Sequence, residues 1–368
     1  MEKTKITNHQ LFTLTASFTC GSSIIAFSSL ITTIAKQDAW ISAIVTNLFA
    51  LLELWIVFFL WNRFSGFTYI QIMQKVFGKW IGWIAGAVFV FFCLLSTMQD
   101  TWYMSNFMTL EALNGTPPYA ISMVYMIVIV IALIYGLEVI ARSYEILLYV
   151  ASGLFIIAMV FNLQNFKIEN FQPVFEKGIA PILTGSLYLS FVLTVPIFIL
   201  LMVYPNNADN TKEARGSVVK GYIWGWFLVF TSIVMSISIL GPSIAADYKY
   251  PIYTLSKEIN VGIVFSRLEF IISGVWIITL LIRGIMYLYA GVIGLSQLLG
   301  LKDYKKIILP LGIIVLIMSQ ISFKNVAYQE NWDAIIWPPY ILTLGVFIPA
   351  ILIITYLFKK WVFKNICI

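Results

Sequence analysis

Apolar runs of roughly 20 residues, the length that crosses a bilayer as a helix, recur along almost the entire chain. Inside a bilayer each segment must satisfy its own backbone polar groups, so this pattern predicts an all-α integral membrane protein. Charged residues make up 11% of the 368 residues, whereas a soluble domain carries about 25%. We therefore expect a single polytopic membrane domain over residues 1–368.

The distribution of apolar residues predicts about ten transmembrane helices. They lie near residues 10–34, 39–61, 81–110, 118–136, 142–162, 181–203, 217–241, 263–299, 306–323 and 335–358. The first run is a span and not a signal peptide, because no small-residue cleavage site follows it. Nine or eleven spans stay open as alternatives, since the eighth segment is longer than a bilayer needs.

Basic residues of the loops fall mostly on one side of this arrangement. Arg63 and Arg142 are on that side together with both termini, whereas Lys167 is among the few on the other side. Because positive residues favour the cytoplasm, both termini are predicted to be cytoplasmic. The long outer segments 164–180 and 243–262 are then expected to cap an outward-facing vestibule.

Ten spans divide into two sets of five with opposite orientation, about residues 10–162 and 181–358. This division into two inverted sets of five is typical of an inverted-repeat transporter fold. In that fold the first helix of each half is broken near the bilayer midplane, and the freed backbone groups hold a small polar ligand.

Both first helices contain small and hydroxyl residues at corresponding depths. Span 1 has Gly21, Ser22 and Ser23 at its middle, and span 6 has residues 185–190 followed by Thr194 and Pro196. The alternative is that such residues merely let helices approach closely. Their matched occurrence in spans 1 and 6 favours helix breaks.

Five ionisable residues fall within or close to the predicted spans. They are Glu53, Asp100, Arg267, Glu269 and Arg283. Such residues are costly in a membrane and are functional candidates by default. Arg267 and Glu269 are interpreted as a structural ion pair, Arg283 is expected close to the inner surface, and Asp100 has the richest polar setting and could pair with Arg267.

These features predict a ligand site between spans 1, 3, 6 and 8. Its residues are Gly21, Ser22, Ser23, Thr97, Asp100, Thr101, Tyr188, Ser190, Thr194, Ser273 and Trp276. The chain has one histidine and three cysteines, and it lacks the common hydrolase and nucleotide-binding motifs. We expect no enzyme activity, no cofactor and no metal, and a partner set without nucleic acid.

Four short motifs resemble one family in order and spacing. They are Lys5-Ile6-Thr7 with Gln10-Leu11-Phe12, Gly136-Leu137-Glu138 with Ala141-Arg142, Gly178-Ile179-Ala180-Pro181, and Arg267-Leu268-Glu269. Over essentially its full length the chain is similar to the GerAB family of spore germination proteins. The resemblance implies the 5+5 inverted-repeat, LeuT-like fold of the amino acid, polyamine and organocation (APC) superfamily.

The resemblance also implies a function. Members are B subunits of GerA-type nutrient germinant receptors in the inner membrane of bacterial spores, where they act beside a membrane-embedded A subunit and a lipoprotein C subunit. They sense small nutrients such as amino acids, sugars or nucleosides. This chain departs from the superfamily pattern in lacking a proline after Gly21. Glu138 and Arg142 match the family but are interpreted as an intrahelical ion pair.

Two other functions use the same pocket. One is a proton-coupled or sodium-coupled amino acid transporter, in which Asp100 or Glu53 would carry the titratable group. The other is an ion or water conduit that the nutrient opens. The residues alone do not choose among the three, and the resemblance favours the receptor.

Overall fold

The computed structural model describes residues 6–203, 211–257 and 269–362, which form helices joined by short turns, with no β-strand among them. The α-helices are α1 (Asn8–Cys20), α2 (Ser23–Ala35), α3 (Ala39–Arg63), α4 (Tyr69–Phe77), α5 (Lys79–Phe107), α6 (Pro118–Tyr135), α7 (Leu137–Asn162), α8 (Ala180–Leu193), α9 (Leu200–Val203), α10 (Thr211–Leu240), α11 (Pro242–Asp247), α12 (Pro251–Lys257), α13 (Glu269–Leu299), α14 (Lys305–Ile321), α15 (Val326–Asn331), α16 (Trp337–Leu342) and α17 (Ile348–Val362). Two π-helical segments, Trp332–Ile336 and Thr343–Phe347, join α15, α16 and α17.

Within the described ranges, eight helical stretches are long and apolar enough to cross a membrane. One of them, Ser23–Arg63, contains both α2 and α3. Two helices that belong to predicted spans are shorter than these stretches. Helix α1, at the start of the span predicted at 10–34, has 13 residues, and α14, in the span predicted at 306–323, has 17. The all-α membrane fold is confirmed, whereas the total of ten spans and the side of the termini stay predictions.

The first span is interrupted at Gly21 and Ser22, where the sequence predicts a break. Helix α1 begins with a capping box in which the Thr7 side chain accepts a hydrogen bond from the Gln10 amide at 3.2 Å. It ends at Gly21, whose φ of +31° and ψ of −126° leave the helical region. Because glycine has no Cβ, it reaches positive φ at little cost, and the break forms without a proline.

The sixth span breaks later than its run of small residues. Residues 185–190 stay inside α8, which continues to Leu193 and is followed by a 3-10 turn over Val195–Ile199. Pro196 has no amide hydrogen, so it cannot bond the Val192 carbonyl four residues earlier. The small residues do not locate this break. Pro196 accounts for its position.

Helix α1 lies in backbone contact with α10. A Cβ added to Gly221 would lie 2.6 Å from the Phe12 carbonyl oxygen, and one added to Gly225 would lie 2.6 Å from the Ala16 carbonyl oxygen. These two glycines are four residues apart and therefore share one face of α10. Small residues at this spacing allow two membrane helices to approach to backbone contact.

Candidate functional site

A small cavity lies where the breaks of the first and sixth spans meet α5, α13 and the last span. Its volume is about 20 Å³, which is room for roughly one water molecule. It is lined by Ser22, Phe27, Ser96, Gln99, Asp100, Tyr103, Val192, Arg283, Tyr287, Asp333 and Trp337. Two residues of the predicted ligand set, Ser22 and Asp100, are therefore brought together here.

Arg283 contributes the positive charge of this cavity. Its Nη1 donates to the Val192 carbonyl at 3.1 Å, its Nη2 donates to the Tyr287 hydroxyl at 3.2 Å, and its Nε lies 4.0 Å from Asp100 Oδ2. The side chain is 3% exposed. The expectation that Arg283 lies near the inner surface is wrong, because Glu269–Leu299 is one unbroken helix with position 283 near its middle.

Asp100 faces Arg283 across the cavity. The residue is 3% exposed, and its Oδ2 has no hydrogen-bond partner among the described residues. Arg267, the partner that the sequence suggested, lies outside the described residues, so its pairing with Asp100 or Glu269 stays a prediction. The contact with Arg283 supplies an opposite charge to the buried Asp100 carboxylate.

The break in the first span packs directly against α13. The Thr279 hydroxyl of α13 donates to the Gly21 carbonyl at 3.1 Å. A Cβ added to Gly21 would lie 2.8 Å from Arg283 Cδ. Ser22 lines the cavity, and Ser23 next to it is buried with no partner for its hydroxyl in the described part of the chain.

Five predicted hydroxyl residues bond to their own helices and do not line the cavity. Thr97 and Thr101 in α5, Ser190 and Thr194 around the end of α8, and Ser273 in α13 each donate to a carbonyl three or four residues earlier. Such bonds satisfy a buried hydroxyl without a ligand. A ligand contact by these residues stays a prediction.

Two predicted aromatic residues connect the site to its surroundings. The Tyr188 hydroxyl donates to the Ala334 carbonyl at 3.1 Å and so joins α8 to the last span. Trp276 packs edge-on against Phe107, with ring centroids 4.5 Å apart, and contacts the Tyr250 ring at 5.8 Å. Both residues support walls of the site without lining the small cavity.

A larger open cavity of about 420 Å³ adjoins the small one, on the side of α11 and α12. Its walls come from α2, from residues 246–250 and from α15 with the π-helical segment after it. Phe27, Tyr103 and Asp333 line both cavities and therefore form the boundary between them. The predicted outer segment 243–262 contributes to this vestibule through its residues 246–250.

A hydrogen-bonded network holds that boundary. The Tyr103 hydroxyl donates to Asp333 at 2.5 Å, and the Gln329 amide donates to both Asp333 and the Tyr103 oxygen. Lys249 donates to Gln329 at 3.1 Å and lies 3.8 Å from Glu330. Burial lowers the pKa of Lys249 from its ordinary value, and the carboxylates of Glu330 and Asp333 partly offset this effect.

Sequence reasoning missed Asp333 and the central place of Arg283. Asp333 was placed in the loop before a span at 335–358, whereas the helical segment begins at Val326. A signal was present, since an acidic residue just before Trp337 and two prolines could belong to a span with an irregular start. The Glu138 and Arg142 side chains form a 2.6 Å ion pair near the start of α7, outside the small cavity.

Comparisons with known proteins agree with one another. Residues 5–326 match the sequence profile of the family described as spore germination protein. The chain is 24% identical to Spore germination protein KB of Bacillus subtilis (strain 168), over 98% of this chain and 96% of that one. It is 25% identical to Spore germination protein YndE of the same strain, over 81% and 82% of the two chains, and 21% identical to Spore germination protein XB of Bacillus anthracis, over 89% and 90%.

Among solved structures, the crystal structure of MhsT in complex with L-phenylalanine superposes with a TM-score of 0.62 and 14% sequence identity. The match covers 96% of this chain and 99% of MhsT. At this identity the likeness concerns the fold alone. It confirms the LeuT-like fold predicted from the sequence.

Proposed function

The chain belongs to the spore germination protein family, and from this premise we propose that it is the nutrient-binding B-type subunit of a spore germinant receptor in the spore inner membrane. It binds a small solute at the small cavity and signals through an A-type membrane subunit and a C-type lipoprotein subunit. Its role is binding and not catalysis. The solute belongs to the amino acids or to similarly small nutrients.

The observation that carries this proposal is the placement of Asp100 and Arg283 at the junction of both helix breaks. Buried polar groups with free hydrogen-bonding capacity in an otherwise apolar bundle are suited to hold a zwitterionic or polyhydroxyl solute. Freed backbone groups at the two breaks add directional partners. The adjoining cavity of about 420 Å³ supplies a route by which the solute reaches the small cavity from the outer side.

The size of the small cavity supports signalling. About 20 Å³ holds a water molecule but no nutrient, so a bound solute must move the residues that line it. Phe27 in α2, Tyr103 in α5 and Asp333 in the last span are the lining residues that also face the vestibule. A ligand that favours the enlarged state shifts the population of the protein toward it, and partner subunits read that shift.

Spores that carry Ser22→Val test this proposal. Ser22 is buried in the cavity wall, so added methyl groups should raise the half-maximal concentration of a mixture of the L-amino acids by about tenfold. Ser143→Val on the exposed face of α7 is the matched control and should leave the response unchanged. An unchanged response in Ser22→Val at normal abundance contradicts the proposal, as does a full response in spores without the A-type subunit.

A second candidate function is an ion-coupled amino acid transporter. The likeness in fold to MhsT, whose structure holds L-phenylalanine, favours it together with the buried Asp100 carboxylate. Uptake of L-amino acids by the purified protein in liposomes separates the two functions. A receptor subunit should bind without accumulating the solute.

A further inference from the structure

Two broken helices point their C-terminal ends toward the same buried place. Helix α1 ends at Cys20 and α8 ends at Leu193, and the Arg283 side chain reaches both ends. Each helix C-terminus carries a partial negative charge equivalent to about half an electron. With the Asp100 carboxylate beside them, these groups create a strong local preference for one positive charge.

The backbone supplies a ligand atom for that charge. Pro196 cannot donate to the Val192 carbonyl, so this oxygen lacks the bond that the residue four positions later makes in a regular helix. Arg283 Nη1 donates to it at 3.1 Å. In transporters built on broken helices, unwound carbonyls and half-helix C-terminal ends are the groups that coordinate the coupling Na⁺ or H⁺.

Arg283 is held firmly in this position. A Cβ on residue 21 would lie only 2.8 Å from the Arg283 Cδ, so the glycine at the break makes room for this side chain. The guanidinium lies 5.7 Å from the Phe18 ring centroid and 5.5 Å from that of Tyr287. Aromatic faces at these distances stabilise a desolvated cation.

We propose that Arg283 is a built-in cation that fills the place of a mobile coupling ion, so that this protein binds its ligand without sodium. The guanidinium donates to the Val192 carbonyl, lies beside the end of α1 and has its Nε 4.0 Å from Asp100 Oδ2, so among the described residues it occupies the position between the two breaks. The inference rests on the proposed function in placing the ligand at the neighbouring cavity. Its test on purified protein needs no ligand.

The test compares melting temperatures of the purified full-length chain in sodium chloride and in N-methylglucamine chloride at equal ionic strength. A cation that binds only the folded state raises the melting temperature. The wild-type protein should melt at the same temperature in both salts. Arg283→Ala vacates the position and should melt lower, with sodium raising its melting temperature by a few degrees relative to N-methylglucamine.

Arg142→Ala is the matched control, because it removes an exposed arginine that pairs with Glu138. It should show no sodium-specific shift. A sodium-specific shift in the wild-type protein overturns the inference, and so does an Arg283→Ala protein that melts cooperatively with no cation effect. If Arg283→Ala does not fold, the wild-type comparison still decides.

Spores give an independent measurement. Their half-maximal response to the mixture of L-amino acids should change less than about twofold when N-methylglucamine replaces sodium in the medium, and a change of about tenfold overturns the inference. Absence of any response in both media contradicts the proposed function instead. The melting experiment still reports on Arg283 in that case, so the two failures are distinguishable.

Discussion

The Tyr103 hydroxyl donates a 2.5 Å hydrogen bond to the Asp333 carboxylate, and this pair forms part of the boundary between the small cavity and the open vestibule. Tyr103 belongs to α5 and Asp333 to the π-helical segment Trp332–Ile336. A solute that enters from the vestibule has to separate these two elements. We therefore expect this bond to limit how readily a solute reaches the inner cavity.

Tyr103→Phe removes the donor and should loosen this boundary. We expect the reactivity of a cysteine at Ser22, probed with a membrane-impermeant maleimide, to rise by about tenfold, since a hydrogen bond to a charged group contributes about 1.5 to 3 kcal/mol. Tyr188→Phe is the control, because that hydroxyl bonds to Ala334 in the same segment but does not line the cavity. Equal reactivity in both variants would show that the Tyr103 bond does not limit access.

Gly21→Ala should destabilise the protein. The residue has φ +31°, and the added Cβ would lie 2.8 Å from Arg283 Cδ and 2.9 Å from the Phe18 carbonyl oxygen, so we expect a loss of about 1 to 3 kcal/mol. Gly274→Ala in α13 meets nothing within 4 Å and should instead stabilise by about 0.5 to 1 kcal/mol. Thermal unfolding of the two purified variants measures both effects. Similar melting temperatures would contradict the conformation assigned to Gly21.

Asp100→Asn should lower stability strongly, because it leaves the buried Arg283 guanidinium without an opposite charge. The expected cost is about 3 to 5 kcal/mol, and combining it with Arg283→Met should recover most of the loss. Glu138→Gln breaks an exposed pair and should cost about 0.3 to 0.5 kcal/mol. Protein yield and melting temperature across the three variants report the difference. A double variant no better than Asp100→Asn alone would contradict the pairing.

Lys249 should give the stability of the protein a pH dependence. Burial lowers its pKa from 10.5, so between the lowered pKa and 10.5 the unfolded chain binds more protons than the folded one. Stability therefore rises as pH increases through that window. Charged groups around it are Glu330, Asp333 and Asp247 of the vestibule.

In Lys249→Met this contribution is absent, and its melting temperature should rise less with pH from neutral to alkaline than that of the wild type. Lys257→Met, which removes the partner of Glu111 at 2.7 Å, controls for the loss of an outer lysine. Identical slopes in the two variants would contradict the effect of burial on Lys249.

Topology can be tested with single cysteines in a background without Cys367. A cysteine at exposed Lys177 should react with an impermeant maleimide in intact cells, whereas one at exposed Lys302 should react after permeabilisation. Native Cys20 and Cys93 are buried and should not interfere. The reverse pattern would place both termini outside.

Hydropathy was sufficient to predict the bundle, because the bilayer fixes the length and composition of each span. The break at Gly21 was also predictable, since a glycine followed by two serines weakens a helix. The second break lies at Thr194 and Pro196, which the sequence also marked, and not in the run of small residues before them, because Gly185 serves close packing with its Cβ position 2.9 Å from the Ser42 hydroxyl oxygen of α3. In the sequence, a run of small residues looks the same whether it breaks a helix or lets two helices pack closely. Only the contacts in the structure distinguish the two roles.

The pairing of Asp100 with Arg283 could not be read from the sequence. A single sequence gives no rotation of one helix against another, and Arg283, which was expected near the inner surface, is the arginine that the structure places beside Asp100. The depth of Arg283 depends on where α13 begins and ends, and helix ends are the least certain part of a sequence reading. Asp333 was missed for the same reason.

The backbone contact of Gly221 and Gly225 with α1 has a mechanical consequence. Two helices in backbone contact over a full turn resist sliding and tilting against each other. Helices α1 and α10 are therefore expected to move as one rigid unit. The Gly21 break lies at one end of α1, and a 2.9 Å hydrogen bond from Asn8 to Glu213 joins the other end of α1 to α10. A displacement at the break should therefore be transmitted along α1 to its first residue, about 18 Å away over the 12 residue steps from position 8 to position 20.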